Sequence, residues 1–280
     1  MTRYLIAGAG GMLGRELRTV LSGRDVRALT RAELDVTDAV AVAEAASGVD
    51  VVINAAAYTA VDDAETHERE AFAINATGAG NLARAAADAG ARLVHVSTDY
   101  VFAGDASSPY PEDAPLAPIS AYGRTKAEGE RLVAAAHPSP YIVRTAWLYG
   151  AHGGNFVSTM LRLAAERETV SVVDDQRGQP TWARDLARAM VRLLDADAPA
   201  GIYHGTSSGE TSWFGLARAV FADAGLDPER VLPTTAAAFP RPAPRPSYSV
   251  LGHAAWERAG LEPIRDWREA LREALPELRR

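Results

Sequence analysis

Tyr122 and Lys126 are the residues whose types and spacing most directly suggest a chemical reaction. They lie four positions apart in a predicted helix, so both side chains project from one face and can converge on one point. Reduction of a ketone needs a hydride and a proton, and a phenol can supply the proton if a neighbouring ammonium favours its phenolate form. Thr98 ends a predicted strand and can donate a hydrogen bond to the same oxygen. These three residues are therefore the candidate catalytic groups of a ketone reductase.

Lys126 is the only lysine in the chain, since every other Lys/Arg position carries arginine. Because the chain has nine tyrosines, the chance that a single lysine falls four residues after one of them is about 3%. A surface tyrosine beside a solvated lysine is the ordinary alternative. A compact ammonium on a thin stem fits between a ribose and a phenol, which a planar guanidinium does not. We therefore expect Lys126 to hold the ribose of a nicotinamide cofactor next to Tyr122.

Gly8, Gly11 and Gly14 form a GxxGxxG pattern directly after the first predicted strand and at the start of a helix. A tight turn without side chains lets backbone N–H groups reach a pyrophosphate, and a helix N-terminus favours its negative charge. We therefore predict that the three glycines, with Met12 and Leu13 between them, bind the pyrophosphate of a dinucleotide. A glycine turn that only connects a strand to a helix is the alternative.

The residues after the second predicted strand bear on the choice between NADPH and NADH. A dinucleotide site places the adenosine ribose there, and the chain offers Thr30 and Arg31 in place of an acid. An arginine suits the 2′-phosphate of NADPH, whereas Glu33 or Asp35 could bind the free 2′-hydroxyl of NADH. Asp35 and Val36 are expected beside the adenine. The sequence favours NADPH and leaves NADH open, together with the alternative that Arg31 is an ordinary solvated charge.

Thiol and metal chemistries lack their residues or their spacing, and a cluster of acids has an ordinary structural explanation. The absence of cysteine excludes disulfides, a thiolate nucleophile and cysteine-ligated metal centres. The six histidines show no HxxxH or similar ligand spacing. The acids Asp62, Asp63 and Glu65 stand at a predicted helix start, where carboxylates more often stabilise the helix dipole than catalyse a reaction.

Charge and hydropathy limit the partners of the chain. Its 280 residues carry a net charge of −7 and contain no basic run, which argues against a nucleic-acid-binding surface. The apolar run at residues 4–7 is too short for a signal-peptide core, and no stretch is apolar enough to span a bilayer. We therefore expect a cytoplasmic protein that binds neither nucleic acid nor membrane.

Short β-branched runs alternate with alanine-rich helical stretches, and these elements must position the candidate groups. The alternation is typical of βαβ units with a parallel sheet. Strands are predicted at residues 4–7, 26–29, 51–54, 93–97 and 141–144, and helices at residues 13–21, 39–46, 67–89 and 121–136. Ser120 is the expected N-cap of the last helix. The pattern predicts an α/β protein with a Rossmann-like doubly wound parallel sheet.

Residues 151–280 differ in composition from residues 1–150. Strand patterns become sparse there, and glycine, proline and tryptophan concentrate. The proline-rich residues 240–246 cannot form a regular helix or a central strand. We therefore expect residues 1–150 to be the NAD(P)-binding domain and residues 151–280 to form mainly a smaller C-terminal substrate-binding lobe, with some later segments packing back on the first domain.

A series of motifs resembles the dTDP-4-dehydrorhamnose reductase family, a group of extended short-chain dehydrogenases/reductases of sugar-nucleotide metabolism. The resemblance spans nearly the whole chain. Besides the three glycines, the matching blocks are residues 54–62 (NAAAYTAVD), 75–78 (NATG), 97–104 (STDYVFAG), 122–126 (YGRTK), 144–150 (RTAWLYG), 174–176 (DDQ) with Gly178, 180–181 (PT), and 241–242 (RP) leading to Ser247. Together these motifs are highly specific.

The resemblance implies an NAD(P)H-dependent enzyme that reduces the C4 ketone of dTDP-4-dehydro-6-deoxy-L-mannose to give dTDP-L-rhamnose. Thr98, Tyr122 and Lys126 match the family's catalytic positions. The match places small side chains along the cofactor wall, at Ala55, Ala56 and Ala57. It places around the sugar the side chains of Thr59, Val61, Thr98, Asp99, Tyr122 and Trp147. The C-terminal lobe would then bind the sugar nucleotide.

The resemblance leaves two alternative functions open, and it leaves Mg²⁺ binding undecided. A related ketoreductase for another nucleotide-linked 4-keto-6-deoxysugar would keep the mechanism and differ in pocket shape. A non-catalytic NADP-binding subunit that regulates a partner enzyme would keep only the fold. Some family members bind Mg²⁺ between subunits through an acid on the first helix, a position that Glu16 resembles, but the other ligands cannot be placed from the sequence. A homodimer is compatible with this pattern.

Overall fold

A six-stranded parallel sheet forms the centre of the protein, in a computed structural model that describes residues 1–279. Numbered along the chain, the strands are β1 (Arg3–Ala7), β2 (Asp25–Leu29), β3 (Val51–Asn54), β4 (Arg92–Thr98), β5 (Tyr141–Thr145), β6 (Leu148–Tyr149), β7 (Val170–Val173), β8 (Arg177–Gly178), β9 (Thr181–Trp182), β10 (Gly201–His204), β11 (Ser207–Ser208), β12 (Thr211–Ser212), β13 (Val231–Thr234) and β14 (Ile264–Asp266). The central sheet has the order β2-β1-β3-β4-β5-β10. Because β1 lies between β2 and β3, the carboxyl ends of β1 and β3 flank a crevice where ligands bind in such sheets.

Helices cover both faces of this sheet. They are α1 (Met12–Val20), α2 (Ala39–Ala46), α3 (Glu68–Phe72), α4 (Ala79–Asp88), α5 (Ala121–Ala136), α6 (Phe156–Glu166), α7 (Ala183–Asp195), α8 (Trp213–Asp223), α9 (Ala254–Arg258) and α10 (Trp267–Leu278). On one face Leu17 of α1 and Leu186 of α7 share a core with Ile53 of β3. On the other face Leu82 of α4 packs in a core with Val52. The predicted doubly wound, Rossmann-like α/β fold is confirmed.

The five predicted strands are present, with bounds that differ by at most one residue at either end. The sixth strand, β10, was not predicted. It pairs in parallel with β5, Gly201 standing opposite Tyr141. Its four residues include a glycine and a histidine and so carry little strand signal of their own. Among residues 1–279, no helix has both the length and the apolar surface needed to cross a lipid bilayer.

The helix predicted at residues 67–89 is wrong in its middle. A π-helical segment, Ala73–Gly78, separates α3 from α4. Asn75 in this segment accepts a hydrogen bond from the Tyr58 backbone N–H at 2.8 Å and donates one to the Thr125 hydroxyl at 3.0 Å. The wider turn thus ties the loop after β3 to α5. Apolar periodicity does not reveal such an inserted residue, because the helix continues on both sides of it.

The second half of the chain contributes to two cores. Helix α7 and strand β10 pack into the central sheet layers. Helices α6, α8 and α10 instead surround a separate core that includes Trp182, Phe221 and Leu271. The chain after β13 returns to the first half, where the Tyr248 backbone N–H donates to the Gly104 carbonyl at 2.9 Å. This return brings residues of the C-terminal lobe against the loop that follows β4.

Candidate active site

Two adjoining cavities open at the carboxyl ends of the central strands. Their volumes are about 400 and 450 Å³, a size typical of small-ligand sites. The first cavity extends from the glycine turn to the loop after β2, and the second extends from the glycine turn to α5. They share as lining residues Gly11, Ala55, Ala56 and Ala57. The two cavities therefore form one continuous groove.

The glycines of the turn after β1 are required for different reasons. Gly8 has a φ of +82°, and a Cβ there would lie 2.6 Å from the backbone nitrogen of Ala56. A Cβ on Gly14 would lie 2.3 Å from the Gly8 carbonyl oxygen, so Gly14 belongs to the packing of α1 on β1 rather than to the groove lining. For Gly11 the nearest atom to a Cβ would be at an ordinary 3.5 Å. The missing side chain of Gly11 therefore leaves space for a ligand. The missing side chains of Gly8 and Gly14 instead allow neighbouring backbone atoms of the protein to approach closely.

The N-terminus of α1 borders the groove. Gly11 is its N-cap residue, and within residues 1–279 no side chain caps the first turn. Met12 and Leu13, the first two helical residues, line the second cavity. The first backbone N–H groups and the positive end of the helix dipole can therefore bind an anion such as a pyrophosphate.

The charged side chains near the first cavity differ in whether they already form hydrogen bonds within the protein. Glu33 and Asp35 each accept hydrogen bonds from the backbone N–H and the hydroxyl of a neighbouring threonine, at 2.7 to 2.9 Å. These bonds lower the pKa of both carboxyl groups. The Arg31 side chain is 83% exposed, lines the cavity with Asp35 and Val36, and lies 3.7 Å from Glu70. Arg31 is thus the cation best placed to meet a phosphate at this end.

Tyr122 is buried in the first turn of α5 and lines the second cavity. Ser120 caps the helix as expected, since its hydroxyl accepts the Gly123 N–H at 3.1 Å. Burial raises the pKa of Tyr122 to about 12, although the Thr98 hydroxyl acts in the opposite direction; the charge of Asp99 raises it further. The expectation that Lys126 favours the phenolate is therefore not met, because burial is the largest influence on the pKa of Tyr122. Tyr122 is a protonated donor at neutral pH.

Lys126 lines the same cavity one turn further along α5. Its Nζ donates a 2.6 Å hydrogen bond to the Val96 carbonyl of β4. Burial lowers the pKa of Lys126 to about 8, and the nearby Glu130 acts in the opposite direction. Glu130 is itself held by Arg144 in a buried ion pair at 2.7 Å. The ammonium of Lys126 therefore loses its proton close to physiological pH.

The carboxyl end of β4 brings Thr98 and Asp99 into the second cavity. The Thr98 hydroxyl donates to Oδ1 of Asp99 at 3.0 Å and accepts the Tyr100 N–H at 3.2 Å. The other oxygen, Oδ2, is buried without a hydrogen-bond partner among residues 1–279. Burial raises the pKa of Asp99 to about 6, while the hydrogen bond from the Thr98 hydroxyl favours its charged form. Asp99 is suited to accept a hydrogen bond from a ligand hydroxyl.

Three more residues that were expected to face a sugar line the second cavity, namely Thr59, Val61 and Trp147. Gly14, by contrast, was expected at the site but lines neither cavity, whereas Gly8 meets close protein contacts and also lines the first cavity. The groove thus collects residues from the glycine turn, the ends of three strands and α5.

Sequence reasoning missed several residues of the second cavity. Tyr100 lines it and meets Tyr122 edge to face, with ring centroids 5.6 Å apart. Arg245 does not line this cavity but packs behind it, because it lies over the Tyr100 ring at 6.0 Å and binds Asp62 at 2.9 Å. Thr145 ends β5 in register with Thr98, and its buried hydroxyl has no partner within residues 1–279. The position of Tyr100 directly after Asp99 was a usable signal, and Arg245 falls within the segment 241–247 that resembles a family block.

The segment at residues 205–209 has the GxSxG spacing of a hydrolase nucleophile but not the required structure. Its central serine, Ser207, is fully buried in β11, which pairs with β14. A nucleophilic serine must instead stand exposed at a turn between a strand and a helix. This segment is therefore structural.

Glu16, whose position resembles a magnesium ligand of some family members, makes an ion pair within the chain. The Glu16 carboxylate is buried and accepts a 2.9 Å hydrogen bond from Nε of Arg184, whose guanidinium also binds Glu277. Among residues 1–279, no group of three or more His, Asp or Glu side chains is arranged to hold a metal ion. Arg184 thus pairs with one oxygen of this carboxylate, the other oxygen is buried without a hydrogen-bond partner among residues 1–279, and nothing in these residues supports Mg²⁺ binding at Glu16.

Comparison with known proteins identifies the family that carries this groove. A family model described as the RmlD substrate binding domain matches residues 2–280. The chain belongs to the RmlD family. Because the match covers almost the whole chain, the central sheet and the C-terminal lobe both fall within the RmlD family pattern.

Named proteins from other organisms resemble this chain over nearly its full length. The dTDP-4-dehydrorhamnose reductase of Streptomyces griseus is 52% identical over 285 residues, which cover 99% of this chain and 94% of the relative. A probable dTDP-4,6-dihydroxy-2-methyloxan-3-one 4-ketoreductase of Streptomyces antibioticus is also 52% identical, over 99% of this chain and 95% of the relative. The crystal structure of dTDP-4-dehydrorhamnose reductase from Bacillus anthracis in complex with NADP is 40% identical, covers 99% of this chain and 100% of that chain, and has a TM-score of 0.95.

Proposed function

We propose that this protein is an NADPH-dependent reductase of the C4 ketone of dTDP-4-dehydro-6-deoxy-L-mannose, giving dTDP-L-rhamnose. The observation that carries the proposal is the second cavity, where Tyr122, Lys126 and Thr98 meet at one end of a groove that begins at the glycine turn. The S. griseus relative, which this chain matches over 94% of the relative's length, bears the name of this activity. The second cavity takes the sugar, and the first takes the adenosine end of the cofactor.

The side chains of the second cavity have different roles in the proposed reduction. A bound nicotinamide supplies the hydride that attacks the C4 carbonyl carbon, and the carbonyl electron pair moves to the oxygen. Tyr122, protonated because burial raises its pKa to about 12, transfers its proton to that oxygen. The Thr98 hydroxyl can turn from Asp99 to hold the same oxygen. The Lys126 ammonium compensates the phenolate left behind, since this negative charge forms in a buried site.

The first cavity supports NADPH rather than NADH as the preferred cofactor. Arg31 is exposed there, while Glu33 and Asp35 are engaged by neighbouring threonines. A guanidinium binds a 2′-phosphate, whereas an acid would repel it. The B. anthracis relative was crystallised with NADP. NADH can occupy the same groove but lacks the phosphate that Arg31 would bind.

A second candidate function keeps the mechanism and changes the sugar. The S. antibioticus relative is as similar as the S. griseus relative and is named a 4-ketoreductase of a different substrate. Sugar stereochemistry depends on pocket shape, which the shared Thr98, Tyr122 and Lys126 do not determine. A purely regulatory subunit would not need these three side chains in one cavity. The functional division at residue 150, the homodimer and the cytoplasmic location stay predictions.

The proposal is tested by supplying purified protein with dTDP-4-keto-6-deoxy-L-mannose and either NADPH or NADH. Cofactor oxidation is followed by absorbance, and the sugar product is identified by NMR. We expect dTDP-L-rhamnose, formed with a higher kcat/KM for NADPH. Formation of a different 6-deoxyhexose from its own 4-keto precursor, with no turnover of the mannose-configured ketone, would support the second candidate instead. Absence of turnover with every dTDP-4-keto sugar tested would refute both.

A further inference from the structure

Trp147 has an unusual backbone conformation for a large aromatic residue. Its φ is +46°, and the only other non-glycine residue with positive φ among residues 1–279 is Asp197, in the turn after α7. A left-handed conformation is unfavourable for residues with a Cβ and persists only where surrounding contacts hold it. Trp147 also lines the second cavity beside Tyr122. The strained residue therefore lies at the site and must be held by its neighbours.

Trp213 provides the closest aromatic contact to Trp147. The two indole rings are stacked, with centroids 3.6 Å apart and planes inclined by 8°. The ring of Phe156 packs on Trp213 with a centroid distance of 4.6 Å. Trp213 is the first residue of α8, so its position is set by the start of a helix. The Ser212 hydroxyl, which accepts the Gly215 N–H at 3.0 Å, caps that helix.

Gly178 provides a second contact to the same indole. A Cβ on Gly178 would lie 2.6 Å from Cε2 of Trp147, so the indole fills the space that any side chain at this position would need. Gly178 stands opposite Thr211 in the antiparallel pair of β8 and β12. Thr211 and Ser212 lead directly into Trp213. One small strand pair therefore supplies both contacts, and we call Gly178 and Trp213 the indole clamp.

We propose that Trp213 is a positioning residue that, with Gly178, holds the Trp147 indole in place as a wall of the sugar-binding cavity. The inference rests on the proposed function, because it assigns the second cavity to a sugar nucleotide. A 6-deoxysugar carries a methyl group and an apolar ring face, which pack against a flat aromatic surface. Trp213 acts through Trp147 and does not touch the sugar itself. Its loss would therefore weaken sugar binding and leave the proton transfer by Tyr122 intact.

The clamp is tested with Trp213→Leu, with Trp213→Phe as the conservative variant and Trp267→Leu as the matched control. Trp267 is another half-buried tryptophan of the same lobe, packed against Gly209 rather than Trp147. Two stacked indoles couple their electronic transitions, which gives a pair of far-ultraviolet circular dichroism bands. We expect wild type and Trp267→Leu to show these bands and Trp213→Leu and Trp147→Phe to lose them. This readout needs neither substrate nor turnover.

Sugar binding is then measured as the Kd of dTDP-L-rhamnose in the presence of NADP⁺, and as KM and kcat of the ketone. Trp213→Leu should raise the Kd and KM about tenfold, with kcat within about twofold of wild type and the NADPH Kd unchanged. Trp213→Phe should recover most of the affinity. Loss of the stacked-indole bands without a rise in Kd, or an equal rise in Trp267→Leu, would overturn the clamp. A wild type that binds dTDP-L-rhamnose but does not turn over the ketone would contradict the proposed reaction. The clamp would still be supported in that case if Trp213→Leu weakens the binding. A wild type that does not bind the sugar nucleotide would overturn the clamp.

Discussion

The two ends of the groove are built in different ways. The cofactor end comes from neighbouring segments near the start of the chain, and its shape follows from backbone contacts such as those of Gly8 and Gly14. The sugar end contains Trp147, held by Gly178 and Trp213 from the C-terminal lobe. Backbone geometry fixes the first end, whereas side-chain packing between distant segments fixes the second. We therefore expect the sugar end to vary among relatives more readily than the cofactor end, in line with the different substrates named for two equally similar relatives.

The largest effect is expected where the two ends meet, at Tyr122. Tyr122→Phe removes a proton donor that acts only in the transition state, so kcat should fall by about a hundredfold to ten-thousandfold. The NADPH Kd should stay within about twofold, because the cofactor end is not changed. Steady-state kinetics and fluorescence titration measure the two quantities. Tyr100→Phe, in the ring packed edge to face against Tyr122, is the matched control. A Tyr122→Phe enzyme that keeps a tenth or more of the wild-type kcat would contradict the assignment.

Glycine substitutions separate packing from ligand space at the cofactor end. Gly14→Ala places a Cβ 2.3 Å from a backbone oxygen and should cost about 3 kcal/mol of unfolding free energy. Gly11→Ala meets no close protein atom and should leave the stability within about 0.5 kcal/mol, yet raise the NADPH Kd about tenfold. Urea denaturation and cofactor titration give both numbers. NADPH affinity of Gly11→Ala equal to wild type would show that the cofactor does not approach this turn.

The sugar end should impose a bell-shaped pH dependence. Burial raises the pKa of Asp99 to about 6, so below that pH the carboxylate is protonated and kcat/KM should fall. Burial lowers the pKa of Lys126 to about 8, so above that pH the ammonium is lost and kcat/KM should fall again. Asp99→Asn should lower kcat/KM about tenfold at neutral pH and abolish the acidic limb alone. If kcat/KM of Asp99→Asn still falls at low pH, a group other than Asp99 causes that fall.

The smallest effect is expected at Arg31, because its side chain is largely exposed. Arg31→Ala should weaken NADPH about fivefold to tenfold and leave NADH almost unchanged, since only NADPH carries the 2′-phosphate. Arg131→Ala, which removes an exposed arginine from α5, is the matched control for the change in net charge. The measurement is the Kd of NADPH and of NADH for wild type, Arg31→Ala and Arg131→Ala. Equal losses for NADPH and NADH would show that Arg31 does not contact the phosphate.

The same contrast explains how far the sequence predicts this molecule. Each strand of the first half contains a short local cluster of apolar, mostly β-branched residues that predicts it, and the spacing of Tyr122 and Lys126 on one helix was enough to place both in one cavity. The π-helical turn at Asn75, strand β10 and the stack of Trp147 on Trp213 depend on contacts between distant residues and left no local pattern. The pKa of Tyr122 was expected to fall beside Lys126 and instead rises, because burial depends on tertiary packing that spacing does not reveal.

The central claim is that hydride passes from the cofactor to C4 of a dTDP-linked sugar while Tyr122 protonates the oxygen. Its most direct test is incubation of the protein and dTDP-4-keto-6-deoxy-L-mannose with NADPH that carries deuterium at the transferable position of the nicotinamide, followed by NMR of the sugar. We predict one deuterium at C4 of dTDP-L-rhamnose, formed rapidly by wild type and at least a hundredfold more slowly by Tyr122→Phe. Deuterium at another carbon, or equal rates of labelling by both proteins, would contradict the account.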